Sequence, residues 1–405
     1  MKPAQAVILC GGLGARLGPL TAATPKPLLE VGGAPFLDML LFEIGRHGIR
    51  DVLLLAGFEA AQVERYARTT PLAARFGLEI SVAIEDRPAG TGGALKRAEA
   101  QLAPVFALIN GDTWFDVNLL DLAPRSFADD AWLIAMALRR VADASRYGLI
   151  ELDGETVRSI AEKPPSAGPG VINGGVSLVR REIVGHLAAD CSMERDILPG
   201  LAGEGRVAGR VHDGYFIDIG VPEAFARAQT EVPAQRHRPA AFLDRDGVLN
   251  VDAGYVHRIG DWRWIDGAQA AVKRFNDRGW YVFLVTNQSG IARGFYGEPE
   301  MEALHRHVFD ELAAQGAHVD DVRFCPYHVD AVVERYRRDS DWRKPREGMI
   351  LDLLQHWPID REASVLIGDK EIDLEAARRA GVAGRLFEGG RLDAFVDREL
   401  ERRAR

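Results

Sequence analysis

The sequence predicts an α/β protein of two domains, each built on a doubly wound, mostly parallel sheet. Three observations carry this. Short apolar runs alternate with longer amphipathic stretches, as βαβ units require. The alternation breaks at one polar, proline-bracketed stretch and then restarts. The chain has 405 residues, more than the roughly 100–200 that one compact core ordinarily serves.

In the first half, strands are expected at Val7–Leu9, Val52–Leu55, Ile80–Ile84, Phe106–Ile109 and Trp132–Leu138, with helices over Phe36–His47 and Gln62–Arg68 between them. The segment Pro164–Gly170 reads as a loop. Glu231–Pro239 is polar and bracketed by prolines, so it reads as a linker. The expected division is residues 1–230, a linker at 231–238, and 239–405. The pattern resumes with strands at Ala240–Leu243, Tyr281–Val285 and Val365–Ile367. Trp262 and Trp264 alternate as in a half-buried hairpin, and the charged tail from Asp397 reads as a solvated helix end.

Composition excludes several function classes. Hydrophobic residues make up 47%, enough for two cores, and the formal net charge is −9. A nucleic-acid coat protein carries a basic stripe instead, so no nucleic-acid partner is expected. Cys10, Cys191 and Cys325 give no disulfide framework and fit a reducing compartment. No run reaches about 18 apolar residues, so no membrane span is expected, and the chain is expected to be cytoplasmic. A homo-oligomer stays open.

The first strand runs into Gly11–Gly12–Leu13–Gly14–Ala15–Arg16. Glycines after a strand let backbone N–H groups approach phosphate oxygens. The spacing fits neither the dinucleotide fingerprint nor a Walker A loop, and alone it suits a tight strand-to-helix turn equally well. Arg16 and Lys26 add two cations nearby, with Pro25 and Pro27 stiffening the chain around Lys26. Such fixed cations suit a triphosphate under substitution, and surface ion pairs would look the same. Gly90–Thr91–Gly92–Gly93–Ala94 reads as a second glycine loop open to a base or ribose. Asp112, after Asn110–Gly111, stands at a strand's carboxyl end, where α/β ligands bind, and is a candidate Mg ligand or a turn Asp.

These pieces, with Glu162-Lys163-Pro164, Asn173-Gly-Gly175 and Asp218-Ile-Gly220 in that order, resemble the sugar-phosphate nucleotidylyltransferase family over about residues 4–230, and within it the heptose-1-phosphate guanylyltransferases. The resemblance implies a Rossmann-like domain. The Gly11, Gly12, Gly14 and Arg16 loop would wrap the triphosphate, and Lys26 would hold the sugar phosphate or the α-phosphate. Gly92 and Gly93 would line the base pocket. Asp112 and Asp218 would share Mg, and Glu162, Lys163 and Asn173 would contact the sugar phosphate. Pro88–Ala89 before Gly90 departs from the more usual Leu, a conservative change.

In the second half, Asp244–Arg245–Asp246–Gly247 follows a buried strand. Carboxylates at i and i+2 can divide nucleophilic attack from proton transfer, or close a polar turn. Thr286 at the next strand end can bind a phosphate oxygen or cap a helix. Arg343–Lys344–Pro345 supplies cations, and Asp369 and Asp373 follow the Val365–Ile367 strand. In this order the motifs resemble the haloacid dehalogenase (HAD) superfamily over about 239–390, in its histidinol-phosphate and heptose-bisphosphate phosphatase branch. The resemblance implies a HAD-like Rossmannoid fold with Asp244 as nucleophile, Asp246 as acid/base, Thr286 on the phosphoryl group and Lys344 offsetting its charge. Mg would be held by Asp244, the Asp246 carbonyl and Asp369, with Asp373 a further contributor. Asn287, Gln288 and Arg343 would touch substrate. Many members carry a zinc loop of Cys and His. Here only Cys325 stands at a ligand position, with His328 displaced by one and Ser340–Asp341–Trp342 replacing the later cysteines, so no zinc is expected. Tyr327 and Trp342 are the expected fillers.

His305 and His307, two apart, do not share a helix face, and no metal is expected there. Cys10 is expected to be a small buried filler. Together the resemblances imply a Mg-dependent bifunctional enzyme. Its phosphatase would remove the 7-phosphate of D-glycero-D-manno-heptose 1,7-bisphosphate. Its transferase would couple heptose 1-phosphate to a nucleoside triphosphate, GTP, giving GDP-heptose and pyrophosphate. Two alternatives stay open: a mannose- or amino-sugar-1-phosphate transferase with a different phosphatase, and a phosphosugar-binding regulator with one inactive domain.

Overall fold

A computed structural model describes residues 2–12, 14–126, 131–161 and 168–403. The chain divides into two compact units, Met1–Ala234 and Gln235–Arg405.

The first unit holds a nine-stranded sheet. Four parallel strands form one half: Glu79–Ile84, Asp51–Ala56, Gln5–Leu9 and Val105–Asn110, in that spatial order. The chain visits these as third, second, first, fourth, so the order reverses between Gln5–Leu9 and Val105–Asn110. That reversal opens a crevice at the carboxyl ends of those two strands. Gly170–Arg180 then pairs antiparallel with Val105–Asn110, and Ile134–Val141, Val207–Val211, Thr156–Ala161 and Leu149–Asp153 complete the sheet with mixed pairings. The strands at the centre are apolar on both faces, as expected of a sheet covered by helices on both sides. Val7, Leu53 and Phe106 are almost wholly buried in that core.

A separate ribbon pairs Thr113–Phe115 with Phe216–Asp218, in the register Thr113 opposite Asp218. This pairing brings a carboxylate from residue 218 to the crevice, which the chain had left more than a hundred residues earlier. Gly174 makes room for the ribbon, because a Cβ there would lie 2.2 Å from a ring carbon of Phe115.

The second unit is a five-stranded, all-parallel sheet in the spatial order Asp321–Cys325, Tyr281–Asn287, Arg238–Leu243, Ile359–Gly368, Ala383–Leu386. Again the order reverses, here between Arg238–Leu243 and Ile359–Gly368, so Asp244 and Asp369 leave adjacent strands at the crevice. Helices Ala268–Asp277, Glu298–Ala314, Gly348–His356, Glu371–Ala380 and Leu392–Arg403 accompany the sheet.

Three expectations change. The stretch expected as a linker, 231–238, is not extended chain: helix Pro222–Arg236 runs through most of it and Arg238 already opens a strand. Ala224, Ala228 and Val232 recur every four residues and are buried, and Glu231 is fixed by Arg227 and the Tyr215 hydroxyl. Periodic burial outweighs the helix-breaking tendency of Pro233. The glycine segment at 90–94 is not a loop but the start of helix Gly90–Arg97. The C-terminal tail is not wholly solvated: Glu399 and Leu400 are buried, and Arg403 donates to the carbonyls of Ala363 and Ser364. Trp262 and Trp264 pack edge to face with ring centroids 5.1 Å apart.

Phe106 is 0% exposed on the strand that joins the two halves of the first sheet. Phe106→Ala is expected to destabilise that unit by about 3–5 kcal/mol, read as a lowered midpoint of its transition in urea.

Candidate active sites

In the first unit, the Gly11–Gly14 turn leaves the Gln5–Leu9 strand beside Asp112. Cys10 donates its N–H to Leu55, and Gly111 donates its own to Leu9, which fixes both strand ends. Gly14 adopts φ 62°, and its carbonyl accepts from the Thr21 hydroxyl at 2.9 Å; only glycine takes this shape without strain. Gly12 is exposed, and a Cβ there would meet nothing within 4 Å. Lys26 Nζ lies 2.5 Å from Asp112 Oδ2. Asp218 Oδ1 accepts from Gly220 N at 2.7 Å, and Arg146 Nη2 stands 3.6 Å from its other oxygen. Burial, then the charge of Asp112, pushes the Asp218 carboxyl above the usual range, against the pull of Gly220 N, Lys26 and Arg146. A Cβ on Gly220 would stand 3.6 Å from both Arg16 and Asp112, so Arg16, Asp112 and Asp218 converge there.

Two cavities flank this cluster. One of about 320 Å³ is lined by Gly12, Arg16, Lys26, Thr91 and Asp112. The other, about 680 Å³, is lined by Arg16, Arg146, Tyr147, Asn173, Glu194 and Asp218 among others. Asn173 reaches it from a β-bulge, where its Oδ1 accepts from Gly175 N at 3.0 Å. Glu162 and Lys163 lie outside the described residues. Cys10 is buried, and burial followed by Asp112 pushes its thiol up to about 12, which keeps it protonated and inert.

Gly92 and Gly93, expected to line a base pocket, have a packing role in the structure. Both donate their N–H to the Cys191 carbonyl, at 3.0 and 3.1 Å. A Cβ on Gly92 would lie 2.5 Å from Cys191 Sγ, and one on Gly93 2.7 Å from the Ala189 carbonyl. Their small size lets the 189–192 segment pack against the helix. Sequence reasoning also missed Arg146 and Glu85, whose carboxylate faces Gly11 and Gly57; neither sits in a recognisable spacing.

In the second unit, Lys344 is 3% exposed. Its Nζ lies 2.9 Å from Asp244 Oδ1 and 2.6 Å from Asp373 Oδ1, and donates to the Val285 carbonyl at 2.9 Å. Burial would lower its pKa, but the two carboxylates raise it. Asp244, Asp369 and Asp373 bring carboxylate oxygens within 4.8 Å of one another. Lys344 faces two of these carboxylates and Lys370 Nζ stands 3.3 Å from the third, Asp369, so three acids meet two ammonium groups and one negative charge is left over. Burial pushes Asp244 up to about 6; Lys344 opposes this, and Asp373 and Asp246 add to it. Asp369 Oδ1 is buried with no hydrogen-bond donor. An orphaned buried oxygen in an over-negative all-oxygen cluster fits a hard divalent cation such as Mg²⁺. Gly247, at φ 90°, permits the approach: a Cβ there would lie 2.3 Å from Asp369 Oδ2.

Asp246 is not one of these three carboxylates. It accepts from Arg245, Asn250 and Gln288. Thr286 lines the same cavity of about 380 Å³ as Asp244, Asp246, Arg343, Lys344 and Lys370. Asn287 and Gln288, expected to touch substrate, line that cavity and are also bonded internally. Asn287 donates to the Lys344 carbonyl at 3.0 Å and accepts from Lys344 N at 3.1 Å, so its amide orients Lys344. Gln288 is 2% exposed and is bonded to Asp246, Thr286 and Tyr296. Asp373 is completely buried as Lys344's second carboxylate, a firmer part of the site than its sequence position suggested. Around Cys325, the Arg338 guanidinium stands 3.6 Å above the Tyr327 ring, and His328 Nδ1 accepts from Asp330 N.

The nucleotidyl transferase family model matches residues 5–235, and a HAD-hydrolase-like model matches 341–403. The D-glycero-beta-D-manno-heptose-1,7-bisphosphate 7-phosphatase of Rhodopseudomonas palustris is 52% identical over 163 residues, 40% of this chain and 91% of that protein. The D-glycero-D-manno-heptose-1,7-bisphosphate 7-phosphatase of Thermosynechococcus vestitus is 45% identical over 40% of this chain and 84% of its own length. Among solved structures, HddC from Yersinia pseudotuberculosis aligns with a TM-score of 0.50 and 31% identity, over 56% of this chain and 99% of its own.

Gly93→Ala should destabilise the first unit by about 1–3 kcal/mol through overpacking, read as a lowered melting temperature. A variant as stable as its parent but with a raised KM for nucleotide would instead put Gly93 in the pocket. Burial and then Arg245 lower the His305 pKa to about 3. Below about pH 6.5 the unfolded chain binds a proton there that the folded chain refuses, so stability falls as pH drops toward 3. His305→Gln should remove about 2 kcal/mol of that fall in the second unit between pH 7 and 5, measured by urea unfolding at the two pH values.

Proposed function

We propose that this chain, which belongs to the nucleotidyl transferase family through residues 5–235 and to the HAD-like heptose-bisphosphate phosphatases through its C-terminal unit, makes GDP-heptose by two steps on one polypeptide. It is a nucleotidyltransferase and a phosphatase, acting on a nucleoside triphosphate and a phosphosugar. The observation that carries the finer reading is the pairing of two strand-end phosphate sites in one chain. The phosphatase relatives are named for a 1,7-bisphosphate; removing its 7-phosphate leaves a sugar 1-phosphate, the acceptor that a sugar nucleotidyltransferase requires.

In the phosphatase, an Asp244 oxygen attacks the C7 phosphorus and the phosphorus–oxygen ester bond breaks. Asp246 gives a proton to the leaving alkoxide, then takes one from the water that cleaves the aspartyl phosphate. Inorganic phosphate leaves and Asp244 is restored. The Thr286 hydroxyl donates to a phosphoryl oxygen, and Lys344 holds Asp244 and neutralises charge. Asp244, the Asp246 carbonyl and Asp369 would hold Mg²⁺, with Asp373 behind them. In the transferase, Asp112 and Asp218 would hold it. The ion supplies charge neutralisation at the phosphate in both.

In the transferase, a sugar-phosphate oxygen attacks the α-phosphorus while the bond to the β-phosphate oxygen breaks, and pyrophosphate leaves with the electron pair. Arg16 and Lys26 neutralise the departing charge, and no covalent protein intermediate is needed. Asn173 and Arg146 face the sugar phosphate from the larger cavity. Glu85 supports guanine as the base. Its oxygens lie 3.4 Å from a Cβ position on Gly11 and 3.7 Å from one on Gly57, at the turn that would wrap the nucleotide. A carboxylate only accepts hydrogen bonds. Guanine offers it two donors on one edge, N1–H and the 2-amino group, and adenine does not.

The test is to incubate the protein with Mg²⁺, D-glycero-D-manno-heptose 1,7-bisphosphate and all four nucleoside triphosphates, and to weigh the products. GDP-heptose is expected. Asp244→Asn should stop phosphate release and leave GTP-dependent coupling of added heptose 1-phosphate intact. Asp112→Asn should do the reverse, with heptose 1-phosphate accumulating. Unchanged bisphosphate in the parent reaction would sink the heptose reading, and a nucleotide-sugar of another mass would replace GTP.

A further inference from the structure

The polar groups around Asp246 form a chain whose direction can be worked out. Three of the four hydrogen bonds to its carboxylate come from its own loop: Arg245 Nε at 3.1 Å, Arg245 Nη2 at 3.0 Å and Asn250 Nδ2 at 3.0 Å. The fourth, from Gln288 Nε2 at 3.1 Å, ties Asp246 to the neighbouring strand, where Thr286 stands. The same nitrogen donates to Thr286 Oγ1 at 2.9 Å. At the other end of the amide, Oε1 lies 2.6 Å from Tyr296 Oη.

Only one polarity satisfies all of these. Asp246 accepts, so the amide nitrogen must face it and Oε1 must face Tyr296, which therefore donates. Having accepted from Gln288, Thr286 keeps its own hydrogen for a phosphoryl oxygen. The phenol's place is set by apolar packing. Tyr296 is 8% exposed and sits in a cluster with Ile291, Ala292, Met301, Ala331 and Tyr336. His257 stacks on its ring at 4.6 Å and 9°, and a Cβ on Gly290 would come within 2.3 Å of the ring. Burial pushes the phenol up to about 12, so it keeps its proton.

We infer that Tyr296 is a positioning residue for the phosphatase, acting through Gln288 to hold the acid/base carboxylate of Asp246 and the phosphate-binding hydroxyl of Thr286 in one fixed arrangement. This rests on the reading of Asp246 as the proton carrier. Without the Tyr296 hydroxyl, Oε1 becomes a buried acceptor with no donor. The amide then rotates toward another donor and takes Nε2 away from Asp246 and Thr286. The ring, and with it the apolar cluster, stays in place.

The experiment is a double-mutant cycle on the full chain, with phosphate release from the heptose bisphosphate as the readout. Tyr296→Phe is expected to lower kcat about tenfold, with KM within about twofold of the parent. Gln288→Leu should lower kcat at least as far, and Tyr296→Phe/Gln288→Leu no further than Gln288→Leu alone, because the hydroxyl acts only through the amide. A parental kcat in Tyr296→Phe overturns the inference. So do losses that multiply in the double variant, since they place the hydroxyl's effect outside Gln288. A drop in melting temperature with kcat unchanged makes the residue merely structural, and overturns it equally. Asp246→Asn separates the premise: its kcat should fall well below that of Tyr296→Phe, and a parental value there removes the acid/base reading itself.

Discussion

One buried ammonium organises the phosphatase unit. Lys344 sits within 2.9 Å of Asp244 and 2.6 Å of Asp373, with Asp369 close by. Taking a charge out of water costs several kcal/mol unless it is paired and hydrogen-bonded. Here the pairing is unequal: Lys344 has two acids to itself, and the third, Asp369, has Lys370 at 3.3 Å on the cavity side. Asp373 is the acid that makes this tolerable: it is wholly buried, caps its own helix through Lys370 N, and holds Lys344 from behind. Asp244 can then lie against Lys344 and still present an oxygen to the cavity. Remove Lys344 and the remaining carboxylates repel one another in a low-dielectric pocket; keep it and the residual negative charge is what a divalent cation, and through it a phosphate, can occupy.

The transferase unit meets the same constraint with different parts. Lys26 pairs with Asp112, and Arg146 stands off Asp218 at 3.6 Å. Both sites occupy a place where the sheet order reverses and two strands release their chains in opposite directions. The crevice is a property of topology, and the charges are a property of the loops leaving it. That separation explains how one architecture, repeated without a shared motif, can serve transfer to a sugar phosphate in one unit and hydrolysis in the other.

Much of this was legible in the sequence, for a definite reason. Strand-end residues such as Asp112 in the first unit, and Asp244, Thr286 and Asp369 in the second, follow directly from apolar runs, so period and position place each at the crevice of its own sheet. What the sequence does not carry is information held by distant partners. Gly90–Gly93 look like a ligand-binding loop, but their small size serves the Cys191 carbonyl, about a hundred residues away. Asn287 and Gln288 line the cavity, but their amides also bond Lys344 and Tyr296, which no spacing shows. Arg146 carries no motif at all and is defined only by its approach to Asp218. The 231–236 segment shows the converse: two prolines suggested a linker, while the buried spacing of Ala224, Ala228 and Val232 makes a helix.

The loop around Cys325 is held by many small contacts. A cation over an aromatic ring brings about 0.5–2 kcal/mol, so Arg338 over Tyr327 does not fix the loop alone. The work is distributed: Tyr336 donates to Glu298 at 2.6 Å, Arg337 donates to the Ala331 carbonyl at 2.8 Å, and His328 N donates to the Tyr336 carbonyl at 3.1 Å. Beneath them Ala331 and Tyr336 join the apolar cluster that holds Tyr296. A loop fixed in this way shares its packing with Tyr296, so the loop and the Gln288 amide that Tyr296 holds rest on one set of apolar contacts.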